Sequence, residues 1–176
     1  MAKIYTALGL MSGTSMDGVD ASIISSVDGI RFDEKFNRFY EYDKGLYQKI
    51  SNIRDNIFTS KDLKKQKKEL NALEKEITLF HAKVVDDVSQ TINESNIPEF
   101  EIIGFHGQTM FHSPKEKISV QLGDGKLLSQ LTKKIVVYDF RQNDLINGGQ
   151  GAPLTPVFHE SLRNKICENA PVIFIN

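Results

Sequence analysis

Residues 4–10 are mostly apolar, and Val19, Ala21 and Ile23 then alternate with Asp20 and Ser22, a period of two that predicts two strands around a loop at 11–18. After the turn Val27-Asp28-Gly29, Phe32, Phe36 and Tyr40 stand among polar neighbours, so a third strand is expected over 30–42 and the chain opens as an antiparallel meander. From 60 to 93 the rhythm changes. Leu63, Leu70, Leu73, Ile77, Phe80, Val84, Val88 and Ile92 fall three, four or seven apart, the stripe of one long amphipathic helix with Ser60 as its N-cap and an end near Asn96, before Pro98. Strands are expected at 102–105, at 117–122 and, as the most apolar and therefore buried one, at 135–140, with a helix over 125–133. A helix from about Pro156 to Asn169 and a strand over 171–176 complete the pattern. A meander followed by alternating strands and helices predicts an α/β fold, a mixed sheet with helices packed on it.

Composition narrows the partner. The chain has 176 residues, and its 22 basic and 23 acidic side chains leave a formal charge of -1, so no global field draws it to nucleic acid or a membrane. An anion has to be held by local geometry, and the expected partner is a small molecule. The five lysines between 61 and 68 read as the solvated face of the long helix. No run approaches the roughly 18 apolar residues of a membrane span. A single cysteine, Cys167, allows no internal disulfide, and the start of the chain lacks the apolar stretch of a signal peptide, which predicts the cytoplasm.

Three segments carry chemistry. Gly9 to Asp20 is a glycine- and hydroxyl-rich turn between strands, of the kind that lets backbone N–H groups converge on a phosphate while Ser and Thr hydroxyls add donors and an Asp holds a hydrated magnesium ion. It is neither a Walker loop nor a dinucleotide fingerprint, and a plain hairpin turn is the alternative. Gly104-Phe105-His106-Gly107-Gln108-Thr109 passes from apolar to polar residues at an expected strand end, where His106, Gln108 and Thr109 could bond sugar hydroxyls or an amide; a structural histidine is the alternative. The third segment runs from Asp139 to Leu154 and concentrates two carboxylates, Arg141 and the glycines 148, 149 and 151. Asp139 reads as a helix cap, whereas Asp144, just ahead of the glycines, suits a positioned base.

Taken together, Met11-Ser12-Gly13-Thr14-Ser15-Met16-Asp17-Gly18-Val19-Asp20, His106-Gly107-Gln108-Thr109, Gln121-Leu122-Gly123-Asp124-Gly125, and the stretch from Asp139-Phe140-Arg141 to Gly148-Gly149-Gln150-Gly151-Ala152-Pro153-Leu154 resemble the anhydro-N-acetylmuramic acid kinase family in order and spacing. The resemblance implies a ribonuclease-H-like, actin-like ATPase lobe of the hexokinase-like superfamily. It implies ATP-dependent phosphorylation of 1,6-anhydro-N-acetylmuramic acid with hydrolytic opening of the anhydro ring. Gly13, Thr14, Ser15, Met16, Asp17, Gly18, Val19 and Asp20 then form the first phosphate loop, with Asp17 near Mg2+. Asp144 is the general base, and His106, Gln108, Thr109, Arg141 and Gln150 face the sugar.

Members of that family are much longer, so the expectation is an N-terminal lobe over 1–155, then a linker helix and the first strand of a truncated second lobe over 156–176. Such a chain is expected to be inactive alone and to need a complementary C-terminal half or a homodimer. The alternative is a non-catalytic remnant that binds sugar or phosphate.

Overall fold

The computed structural model of the chain describes residues 3–29, 31–166 and 170–174. The expected meander is β1 (Tyr5–Ser12), β2 (Gly18–Ser26) and β3 (Phe32–Glu41), paired antiparallel. Alternation sets its two faces: Thr6, Leu8, Leu10 and Ser12 of β1 are buried, whereas Tyr5 and Met11 stay exposed on the other face. β4 (Ile102–Ser113) runs parallel to β1, and β6 (Ile135–Tyr138) runs parallel to the first part of β4. The resulting order β3-β2-β1-β4-β6, antiparallel and then parallel, is that of a ribonuclease-H-like, actin-like lobe. β5 (Ile118–Leu122) pairs antiparallel with the far half of β4.

Of the helices α1 (Lys44–Arg54), α2 (Ser60–Lys65), α3 (Lys67–Asn93) and α4 (Gly125–Thr132), α3 and α4 pack on the sheet and α1 and α2 pack on α3; α5 (Gln142–Ile146) and α6 (Pro156–Ile166) follow. Leu73, Ile77, Val84, Val88 and Ile92 of α3 join Leu8, Leu10, Ile23, Ile103 and Phe105 of the strands in one core. Each fully buried aliphatic side chain there contributes about 1.5–3 kcal/mol. Among the described residues no helix is long and apolar enough to cross a membrane.

Several boundaries differ from the sequence pattern. The expected single helix is two, because Gln66 (φ -94°, ψ 14°) separates α2 from α3. Leu63 lies seven residues before Leu70, so no apolar contact requires the two pieces to be continuous. Thr59, not Ser60, is the N-cap of α2, with its N–H and hydroxyl both donating to Asp62 Oδ2 (3.0 and 2.8 Å). α3 ends at Asn93, short of Asn96. α1 was not in the pattern at all, although Asp43 caps it through the Leu46 N–H and Leu46 and Ile50 are buried.

β6 is shorter than expected and is not buried on both faces: Ile135 is 64% and Val137 47% exposed, because they are in register with Ile102 and Gly104 on the sheet face away from the core, whereas Val136, opposite Ile103, packs against the core. The described residues 171–174 pair with no strand; Ile175 and Asn176, like residues 167–169 at the expected helix end, lie outside the described residues.

Gly18 is the tightest point of the meander. A methyl group there would collide with the Tyr40 carbonyl oxygen and with the Phe39 ring of β3. Gly18→Ala is therefore expected to lower unfolding free energy by about 1–3 kcal/mol, read as a lower denaturant midpoint with an unchanged slope.

Candidate active site

The β1–β2 connection is the glycine- and hydroxyl-rich loop. Thr14, Ser15 and Asp17 are exposed on it. Met16, at φ 60°, turns the chain and tucks its own side chain inward. The Ser15 hydroxyl donates to Asp17 Oδ1 (2.6 Å), Met16 N–H donates to the Gly13 carbonyl (3.3 Å), and Tyr42 N–H donates to the Asp17 carbonyl (2.8 Å). Gly18, Val19 and Asp20 belong to β2, and the Val19 side chain is fully buried in the core. Of the eight residues expected around a phosphate, Gly13, Thr14, Ser15 and Asp17 are the ones that the loop presents outward.

His106 to Thr109 do not end a strand, because β4 continues to Ser113. The strand changes partner there instead: the parallel ladder to β6 stops at Phe105, and the antiparallel ladder to β5 begins at Gln108. Gly107 makes the change possible at φ 73°, where an added Cβ would lie 2.6 Å from the Leu122 carbonyl oxygen. Gln108 is fully buried; its Nε2 donates to the Gly13 carbonyl (2.7 Å), and its Oε1 has no hydrogen-bond partner. The Gln108 side chain thus grips the loop. Thr109 is half-buried in the ladder opposite Gln121.

His106 is joined to the third segment. Arg141 Nε and Nη2 donate to His106 Nε2 (3.0 and 2.8 Å), and Arg141 Nη1 donates to the Gly151 carbonyl (2.7 Å). A guanidinium only donates, so His106 Nε2 is the acceptor and Nδ1 carries the proton that goes to the Gly107 carbonyl (2.7 Å). Burial, and then the Arg141 charge, hold His106 below the ordinary histidine range, and burial also lowers Arg141. Gly151 N–H donates to Asp144 Oδ2 (2.7 Å), while the Asp144 carbonyl accepts from Gly149 N–H (2.8 Å).

Asp144 lies in the first turn of α5, exposed, with its carboxylate resting on the turn formed by Gly149 to Gly151. Gln150 is exposed on the same turn. A cavity of about 280 Å³ opens beside this cluster, lined among others by His106, Gln121, Tyr138, Asp139 and Gln142. His106, Arg141 and Asp144 are brought together, with Arg141 and His106 bonded to each other.

Beneath the first loop, Ser12 of the loop motif meets two residues that no motif contained, Tyr42 and His81. Ser12 Oγ is 2.9 Å from Tyr42 Oη and 3.3 Å from His81 Nε2, and all three residues are buried. One signal was legible: His81 stands four residues after Ile77 and three before Val84, inside the apolar stripe of α3, where a polar group has to be satisfied internally.

Burial pushes His81 down to about 4 and Tyr42 up to about 12. The folded protein keeps His81 neutral, whereas the unfolded chain protonates it near its ordinary value of 6.5. Its contribution to stability is therefore complete above about pH 6.5 and is lost as the pH falls toward 4, about 3 kcal/mol in all. His106 acts with the same sign. Denaturant melts across this window should show stability falling with acidity, and the untitratable variant His81→Gln should flatten the slope.

Among the described residues no three His, Cys, Asp or Glu side chains are grouped to hold a metal ion. A model of the anhydro-N-acetylmuramic acid kinase family matches residues 5–175 of this chain. Over its full length the chain is 51% identical to the anhydro-N-acetylmuramic acid kinase of Pelagibacter ubique, covering 46% of that protein. It is 36% identical to the protein of that name in Agrobacterium fabrum and 37% to that in Brucella canis, covering 48% of each. The chain thus spans about half the length of the curated relatives it matches.

Proposed function

Because the chain belongs to the anhydro-N-acetylmuramic acid kinase family, we propose that it serves the ATP-dependent, ring-opening phosphorylation of 1,6-anhydro-N-acetylmuramic acid. The product is N-acetylmuramic acid 6-phosphate, and the setting is peptidoglycan recycling in the cytoplasm. Asp144 carries this reading. One of its carboxylate oxygens is fixed by Gly151 N–H (2.7 Å), and the other has no protein partner among the described residues. A base held in this way has its free oxygen available for a water molecule.

Asp144 takes the proton of a water that attacks the anomeric carbon, the bond from that carbon to the bridge oxygen breaks, and the freed oxygen accepts the γ-phosphoryl group as ADP departs. His106 and Arg141 hold the base-bearing turn through the Gly151 carbonyl, which leaves Gln150 as the exposed amide toward the sugar. Gly13, Thr14, Ser15 and Asp17 receive the phosphate tail of ATP. Asp17 suits Mg2+: a single exposed carboxylate fits an ion that keeps most of its waters and takes other oxygens from phosphates. When bound, the ion offsets charge on the transferring group.

Residues 1–155 are the lobe bearing the loop and the base, and 156–176 are the linker helix and the beginning of a second lobe. The adenosine site and further sugar contacts fall to the part of the relatives that this chain does not span, supplied by a complementary half. The test is to incubate the protein expressed from its intact gene with ATP and the anhydro sugar in heavy-oxygen water. One phosphate and one heavy oxygen at the anomeric position are expected. A phosphorylated product that retains its bridge would overturn the hydrolytic step, and no phosphorylation would overturn the kinase reading.

The half-length match favours a second reading for residues 1–176 alone, a sugar- or phosphate-binding module without turnover. Calorimetric binding without ADP release by that segment would support it.

A further inference from the structure

Tyr42 meets both ends of the first loop. Its N–H donates to the Asp17 carbonyl (2.8 Å) where the loop closes, and its hydroxyl lies 2.9 Å from Ser12 Oγ where the loop begins. Ser12 Oγ in turn lies 3.3 Å from His81 Nε2, and His81 Nδ1 lies 2.8 Å from the Ile77 carbonyl, four residues back on α3.

The direction of each bond follows from its chemistry. The Ile77 carbonyl can only accept, so Nδ1 carries the proton. Nε2 of the neutral ring is then a lone pair, to which the Ser12 hydroxyl donates. The Ser12 oxygen is left to accept from the Tyr42 hydroxyl. Donation therefore runs from Tyr42 to Ser12 to His81 to Ile77, among residues that are 4%, 0% and 0% exposed for Tyr42, Ser12 and His81. The His81 ring is further fixed edge-on against Phe105 at 4.9 Å between centroids. Packing alone would be served by apolar residues in these places; a satisfied polar chain instead fixes one arrangement of the backbone it touches.

We propose that Tyr42, Ser12 and His81 are positioning residues for the loop at 13–17: α3 anchors its first end through His81 and Ser12, and Tyr42 ties that end to the other. The loop N–H groups then meet a phosphate with little reorganisation. The inference rests on reading this loop as a phosphate site. Protonating His81 would turn Nε2 into a donor and reverse the direction of its bond with the Ser12 hydroxyl.

The test compares His81→Gln with His81→Asn in the protein expressed from its intact gene. Gln can place its amide oxygen near the position of Nε2, whereas Asn reaches only as far as Nδ1. Both lose the ring against Phe105, so a packing role predicts equal behaviour. The expectation is that His81→Asn raises KM for ATP about tenfold while KM for the sugar is unchanged, with His81→Gln within about twofold of the parent. Amide hydrogen exchange at 13–17, measured without nucleotide, should quicken in His81→Asn and not in His81→Gln.

Equal exchange in the two variants would overturn the proposal. Quicker exchange with an unaltered KM for ATP would uphold positioning and overturn the phosphate reading of the loop. Should His81→Asn fail to fold, Tyr42→Phe, which keeps its ring against Phe80, must still quicken exchange at the loop ends; unchanged exchange there would sink the idea.

Discussion

Replacing Asp144 by Asn is expected to cut turnover by about 10²- to 10⁴-fold, the usual contribution of a general base, while moving the melting temperature by no more than a few degrees. The two effects separate because Asp144 is exposed and the one bond of its carboxylate among the described residues is accepted from Gly151 N–H. The amide oxygen of Asn can accept that same bond, so the turn at 149–151 keeps its anchor. What disappears is the ability to take a proton, along with a small favourable interaction of a carboxylate with the first turn of α5, about 0.3–1 kcal/mol at an exposed site. Rate and melting temperature should be measured on the protein from its intact gene, with heavy-oxygen incorporation as a third readout. Turnover close to that of the parent would remove Asp144 from the mechanism.

The parts of the fold that could be read in advance are those where one face alone is buried. β1 and β2 alternate because Leu8, Leu10, Val19, Ala21 and Ile23 face the helices while their neighbours do not, and α3 shows its stripe for the same reason. β6 misled because an apolar run shows that a strand is favoured, not that anything covers it. The break at Gln66 was hidden by a seven-residue gap that a continuous helix and two helices satisfy equally.

The site divides in a similar way. Glycine, hydroxyl and carboxylate positions were legible because their chemistry is local: Gly13 to Asp17 do form the loop between β1 and β2, and Asp144 does sit against its glycine turn. Their partners were not, because each pairing is tertiary. His106 and Arg141 are 35 positions apart, Ser12 and His81 are 69 apart, and Gly13 and Gln108 are 95 apart. The type of each residue suggested a ligand contact, whereas the fold brings Arg141 onto His106 and Gln108 onto the loop.

Gly149 offers a way to move the base without altering it. A methyl group at this position would occupy the space of the Asp144 carboxylate carbon and both its oxygens. Backbone strain does not intervene, because Gly149 is not among the glycines with positive φ. In Gly149→Ala the exposed carboxylate is expected to swing toward solvent and release the Gly151 N–H. The stability cost should be one ordinary hydrogen bond, about 1 kcal/mol, because a short exposed side chain can yield where a backbone could not.

Turnover should suffer far more, by about 10²-fold or greater, because a base displaced by an ångström or so no longer reaches its water. Gly148→Ala should behave in the opposite way: at φ 92° with nothing near the added methyl, it costs stability by about 1–2 kcal/mol through strain and leaves the carboxylate where it is. The double variant Gly149→Ala/Asp144→Asn decides between displacement and a general loosening of the turn. If the methyl acts only by moving the carboxylate, then once the base is gone it has nothing further to remove, and the double variant should turn over about as slowly as Asp144→Asn alone. Losses that multiply would mean that Gly149 serves catalysis by a route other than Asp144.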